Sequence, residues 1–393
     1  MQLHIAGKLT GRVSKWLVLA FWIVTVVVLG GFAGKLTEVQ NNEASSWLPA
    51  NAESTRALEK MEPFQDPNAI PTTVVYDKPD GLTAEDLASL KEQAAELQAM
   101  DDVEGRVIGP IPSEDGQVAQ TTVTYNLGAN GWNKMPGIAE EIHDMAAVDG
   151  GTVYIAGAGG NAVDSFDAFE GLDSTLLLWT LLVVIVLLLF TYRSPILWIL
   201  PIFSVIVALG TSLGLIYFLA RYADLTVNGQ SQAIVSILVI GAGTDYALLL
   251  VARYREELRR HEDRHEAMAY ALHRATPAII ASASTVIVGM LCLLLAEMNS
   301  TAGLGPVCAI GIGVGLLAMI TPLPALLVIF GRWIFWPKRP GFGSAEPTST
   351  GLWAKVGALI APRPRKVWMV TTLVLGIAAL GVRCRAQIGR AHV

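Results

Sequence analysis

Asp245 is an acid placed where a membrane helix has no need of one. It lies near the middle of Ser231–Arg260, SQAIVSILVIGAGTDYALLLVARYREELRR. The apolar part of that stretch is about 22 residues long, enough for a helix to cross a hydrocarbon core ~30 Å thick. At about 1.5 Å of rise per residue, Asp245 stands roughly 12 Å from Arg253, where the charged run begins. An aspartate at helix centre costs about 2.5–3.5 kcal/mol on insertion scales. The plain reading is a structural polar contact between helices. The functional reading is a carboxylate that takes up and releases a proton, since oil favours its neutral form. Tyr246 follows it directly as a second hydroxyl-bearing group. Gly241, four residues earlier, shares a helix face with Asp245 and leaves room for a neighbouring helix. Gly243 and Thr244 complete the approach, and Ser282, Ser284 and Thr285 on the next span offer hydroxyls. The proton relay is therefore expected at Asp245 and Tyr246, supported by Gly241, Gly243, Thr244, Ser284 and Thr285.

The elements that must position these residues are membrane spans. The chain has 393 residues, 52% hydrophobic and 16% charged, a balance too apolar for a soluble globular protein. Apolar runs at Trp16–Gly34, Leu172–Phe190, Pro195–Ala220, Ser231–Ala252, Pro277–Ala296, Gly303–Phe330 and Val367–Val382 predict seven spans. Residues 1–34 are expected to hold a cytoplasmic segment and an uncleaved first span, because the apolar run exceeds a signal-peptide core. Short loops fix the orientation: those inside carry 17 basic residues, and those outside only Arg221. This places the N-terminus in the cytoplasm and the large loop 35–171 beyond the inner (plasma) membrane. Gly and Pro are frequent in the spans, which ordinary helix packing in a membrane explains.

That loop is acidic. Residues 35–173 hold 25 acidic and 7 basic side chains, which argues against nucleic acid as a partner. The cysteines, Cys292, Cys308 and Cys384, all lie elsewhere, so the loop has no disulfide framework or cysteine zinc site. PTTVVYD reads as a strand, and LTAEDLASLKEQAAELQAM as a helix with Thr83 as N-cap. VEGRVIG reads as a strand ended by a turn at Pro110 and Pro112. QVAQTTVTYNL, a helix near Lys134–Ala147 and TVYIAGA complete a β-α-β-β-α-β order, the split ferredoxin-like pattern.

Two motifs are outweighed by their contexts. His261-Glu262-Asp263-Arg264-His265 fits H-E-x-x-H, but it sits among arginines that repel a cation, so a solvated charged helix is expected and no metal site is assigned. Gly157-Ala158-Gly159-Gly160-Asn161-Ala162 fits G-x-G-x-x-A, but the chain then enters a span, so a flexible link is expected. The last residues, CRAQIGRAHV, break the apolar pattern and resemble a translated sequencing adapter. Residues 383–393 are therefore expected to be read-through beyond a biological sequence that stops near Val382.

The stretch NGQSQAIVSILVIGAGTDYALLLVARYREEL resembles the MMPL transporters of the RND superfamily, and the likeness covers essentially residues 1–382. It implies a non-enzymatic, proton-driven exporter of lipids or other hydrophobic compounds, with protons as coupling ion and no other cofactor. It also implies a second Asp-Tyr pair on a later span, within a C-terminal repeat that this chain lacks. The architecture implied is a polytopic α-helical membrane protein of about seven spans with an extracytoplasmic α+β ferredoxin-like porter-type subdomain. Its parts are residues 1–34, the outer domain 35–171, the bundle 172–330, a basic cytoplasmic linker 331–366 and the seventh span 367–382. Expected partners are hydrophobic cargo, membrane lipids and the missing repeat, and a homo-oligomer stays open. A sterol-sensing-like lipid sensor, which binds without pumping, is the first alternative. A SecD/SecF-like protein-export helper is the second, and a membrane zinc protease is a remote third. No outer-domain aromatic, Trp47 included, marks a cargo pocket by spacing.

Overall fold

The computed structural model describes residues 11–42, 68–128, 131–344 and 352–390, with single positions between 48 and 66. Lys8, Trp47, the side chain of Cys384 and the last three residues of the tail lie outside the described residues. The chain divides into two compact units, Met1–Arg339 and Pro340–Val393.

The α+β domain, expected to lie outside the membrane, holds β1 (Ala69–Asp77), α2 (Ala84–Gln98), β2 (Ile108–Pro112), β3 (Val118–Asn126), α3 (Met135–Met145) and β4 (Thr152–Ala156), after a first helix α1 (Ser14–Thr25). The sheet order is β2-β3-β1-β4 with every neighbour antiparallel, from Ala69 opposite Asn126 to Asp77 opposite Val118 in the central pair. Burial alternates along β1 and β3, so Ile70, Val74 and Tyr76 join Val123 and Tyr125 on one face. Leu90 and Leu97 of α2 and Met135 and Ile142 of α3 cover that face. A period of two in the strands thus meets a helical period across a single core.

β2 departs from the sequence reading. Val103 makes only an isolated bridge to Tyr125, and the strand includes Pro110 and Pro112, which were expected in a turn. β2 is an edge strand with an irregular register between Ile108 and Ile111, and an edge tolerates residues without an N–H.

α2 starts at a capping box. The Thr83 hydroxyl accepts from the Asp86 N–H at 3.1 Å, and Asp86 Oδ2 accepts from the Thr83 N–H at 2.7 Å and from Lys78 Nζ at 2.8 Å. These donors, Lys78 first, hold the Asp86 carboxyl down to about 2. A depressed carboxylate stabilises the fold above its unfolded value and loses that contribution as pH falls through its folded value. First-turn protection of α2 should therefore fade between about pH 4 and pH 2, and Asp86→Asn should abolish the pH dependence. Hydrogen exchange at the Asp86 and Leu87 amides checks this.

The expected flexible link after β4 is instead the first part of a helix. α4 (Gly157–Tyr192) runs unbroken for 36 residues across the expected boundary at 171 and into the membrane segment. Gly157 starts it with a left-handed φ of +77°. A Cβ on Gly159 would strike the Thr72 side chain, with Cγ2 at 2.8 Å, so this glycine lets the helix lie against β1.

Six helical segments are long and apolar enough to cross a membrane among the described residues. They are Ser14–Ala33, where α1 continues through a π-helical turn at Val26–Gly30, then Thr175–Tyr192 of α4, α5 (Ile199–Tyr222), α6 (Gly229–Arg260), Arg264–Leu295, which begins with α7 (Arg264–Leu291), and Asn299–Phe335. The last breaks at Thr321 into α8 (Asn299–Ile320) and α9 (Pro322–Phe330) rather than passing as one span. Pro322 cannot donate to the helix, and the Thr321 hydroxyl fills the break, donating to Leu317 O and accepting from Trp22 Nε1 at 2.9 Å. The α5, α6 and α8–α9 spans are 56–61% buried, and those of α1, α4 and α7 6–11%, so the first set forms the centre. In the second unit α10 (Leu352–Ile360) precedes α11 (Pro364–Arg390), a helix containing the expected seventh span and continuing past Val382.

Candidate functional site

α6 carries the site as a 32-residue helix with a capped start and close packing in the bundle. Asn228 caps it, its side chain accepting from the Ser231 N–H and hydroxyl, both at 2.8 Å. Glycines then let it lie in the centre: Gly243 receives Val205 of α5 and Met319 of α8, at 3.0 and 3.6 Å from where a Cβ would sit. On the α8 side Gly311 receives Val235 and Val239 of α6.

The structure separates the candidate residues by face. Tyr246 is 3% exposed, and its hydroxyl points toward Ser282 of α7 without a hydrogen bond of ordinary geometry. Thr244 is buried, with its hydroxyl donating to Ile240 O and Gly241 O, both at 2.8 Å, so it is engaged by its own helix. Asp245, by contrast, is exposed. The central position of its helix suggested burial, but this chain does not supply it. Asp245, Leu249 and Ala252 form an exposed stripe at helical spacing, and nothing lies within 4 Å of a Cβ placed on Gly241 at its upper end. Ser284 and Thr285 are exposed on α7, the Thr285 hydroxyl donating to Ala281 O at 2.9 Å. An acid, a vacant glycine and a run of small residues thus lie on uncovered helix faces.

At the other end of α6 the expected charged helix is a corner. α6 ends at Arg260, His261 follows as its C-cap, and Asp263 caps α7, so the histidines of H-E-x-x-H fall on opposite sides of a break. His261 stacks on Tyr270 and lies 3.5 Å from Glu257 and 3.4 Å from Glu266. Glu257, 1% exposed, also faces Arg253 at 3.2 Å and Arg274 at 3.8 Å. Arg332 closes the corner by donating to Leu258 O, His261 O and Glu262 O. This ion-pair cluster fixes the turn between α6 and α7. Among the described residues no group of three or more His, Cys, Asp or Glu side chains could hold a metal.

At its N-terminal end α6 is held by two carboxamides beyond α1, Gln40 and Asn42, and Asn42 in turn bonds Asn133 of the α+β domain. Of this cluster only Asn228 and Gln232 lie within a recognisable motif, NGQSQ. Nothing in the spacing of the other three marks them.

The model of the MMPL family matches residues 46–367. The chain is 52% identical over 381 residues to the putative membrane protein ActII-3 of Streptomyces coelicolor, covering 96% of this chain and 54% of that protein. It is 30% identical to the apo-petrobactin exporter of Bacillus anthracis (95% and 56% covered) and 27% identical to the probable transport protein MmpL8 of Mycobacterium tuberculosis (95% and 35%). The chain therefore spans about half the length of the curated relatives it matches. By the extent of the family match and these identities, the chain belongs to the MMPL family.

Proposed function

We propose that this chain forms one half of a proton-driven exporter of lipids or other hydrophobic compounds, with Asp245 taking up and releasing the coupling proton. The observation that carries the reading is the exposed stripe of α6: a carboxylate midway along a central span, beside a glycine with no neighbour. A bare acid facing lipid is costly, so a further membrane segment covers this face in the complete protein. A chain about half as long as its relatives leaves such a segment to come from the remainder, where a second repeat fits. The names of two relatives, an exporter and a transport protein, support the direction and class of the activity.

In this scheme protonation of Asp245 removes a charge from the repeat interface and α6 shifts against its partner. Tyr246, next in sequence but turned into the bundle, is the second relay group of this scheme, and the opposite faces of α6 stay packed on α5 and α8. The βαββαβ domain, read as a ferredoxin-like porter element outside an inner membrane, receives the movement and handles cargo. A membrane potential supplies about 2.3 kcal/mol per charge per 100 mV, enough to bias such a shift.

Export by the complete protein bearing Asp245→Asn tests the relay. Gly241→Leu tests the covering helix: the side chain enters space that is empty in this half, so the half should pack unchanged while export falls at least tenfold. Thermal stability of residues 1–339 within the complete protein, followed by hydrogen exchange, and export from the same preparation check both sides. Full export in Gly241→Leu would mean that nothing covers the stripe.

A further inference from the structure

We infer that Asn42 is the joint through which the acid-bearing helix α6 is coupled to the outer domain, an inference that rests on the proton-driven reading above. One carboxamide makes three hydrogen bonds there. Its Oδ1 accepts from the N–H of Gly229, the first residue of α6, at 2.9 Å. Its Nδ2 donates to Asn133 Oδ1 at 3.1 Å and to Gln40 Oε1 at 3.2 Å. Asn133 belongs to the outer domain's 3-10 turn Gly131–Asn133 ahead of α3, and it is anchored by donating to Thr37 O at 3.0 Å and Gln40 O at 2.8 Å. Gln40 reaches α6 a second time, its Nε2 donating to Gln232 Oε1 at 2.7 Å.

The number of bonds and partial burial make this cluster stiff. Gln40 is 4% exposed and Gly229 is buried, while Asn42 and Asn133 are half-buried, so water only partly replaces a bond broken here. A helix moves along its axis as a rod, and Gly229 is about 24 Å of helical rise from Asp245. A shift of α6 at the acid therefore arrives at Gly229 and passes through Asn42 to Asn133 without crossing any other span. Asn42 has the two chemical functions this route needs: the acceptor holds α6, and the donors hold the outer domain.

Those functions can be separated. Asn42→Asp keeps an acceptor for the Gly229 N–H and loses the donors to Asn133 and Gln40, whereas Asn42→Ala loses everything. Hydrogen exchange is measured on the complete protein in lipid nanodiscs, with and without Asp245→Asn as the neutral form of the acid; no cargo is needed. With Asn42 present, Asp245→Asn should change exchange both at the start of α6 (Gly229–Gln232) and in the outer-domain turn (Gly131–Lys134). In the Asn42→Asp background the change at α6 should remain and that at the turn should fall severalfold, the remainder passing through Gln232, Gln40 and Asn133. In Asn42→Ala the Gly229–Gln232 amides should also exchange up to about tenfold faster, for one lost half-buried bond. A response at the turn that persists undiminished in Asn42→Asp overturns the joint and leaves the proton reading standing. If Asp245→Asn alters neither region while Asn42 is present, the proton reading fails, and the joint, having nothing to transmit, fails with it.

Discussion

Asp245→Asn in the complete protein should abolish export, lowering it at least a hundredfold, while the protein still reaches the membrane in normal amounts. The substitution conserves shape and removes only the capacity to gain and lose a charge. Folding should not suffer, because Asp245 is exposed on α6 and the packing of that helix rests on Gly243, Val235 and Val239 on its other faces. An amide at helix centre is also cheaper to insert than a carboxylate, so insertion should be no worse. Asp245→Glu restores a titrating group one methylene further out and should recover part of the activity. Export assays on membranes with matched protein levels check all three forms. Wild-type export in Asp245→Asn would leave the acid a structural contact, the plainer reading of the same residue.

Gly214→Val should be the most damaging substitution for the bundle itself. Gly214 of α5 faces the backbone of the first span where that span is π-helical, and a Cβ there would collide with Leu29 O, with Leu29 C at 2.5 Å and Cα at 3.0 Å. Backbone cannot rotate away as a side chain can, so the first span must move off α5. The cost is that of overpacking, about 1–3 kcal/mol or more. It falls on a span only 6% buried, which has little else to hold it. The solubilised complete protein should melt several degrees lower, and a cysteine pair placed across the crossing should cross-link poorly. Gly210→Ala is the control: its nearest neighbour, Gly30 Cα, is 3.9 Å away, an ordinary contact, and stability should be unchanged.

The membrane segments and the acid were legible in the sequence because each rests on local chemistry. Twenty apolar residues specify a span, and a lone Asp among them stands out against its cost. The α+β domain was legible through periodicity: alternation in β1 and β3, helical spacing in α2, and the cap at Thr83. Pro110 and Pro112 misled, because whether a proline sits in a turn or on a strand edge depends on which strand lies beside it. The glycines at 157–160 misled in the same way. They look like a hinge until Thr72 and Ile155 are placed against them, and then they are where α4 meets the sheet. The exposure of Asp245 was hidden because span length reports depth in a membrane and says nothing about which face neighbours cover. The carboxamides of Gln40, Asn42 and Asn133 lie 91 residues apart at the Asn42–Asn133 bond and 192 at Gln40–Gln232, far beyond any local pattern.

The most direct measurement is of the proton itself. Infrared difference spectra of the complete protein, recorded as pH is varied in membranes, should contain a protonated-carboxyl band that appears and disappears and that is missing in Asp245→Asn. Export should follow the same titration. A carboxyl band that does not depend on Asp245, or an Asp245 that keeps one protonation state across the whole range in which export runs, would contradict the account.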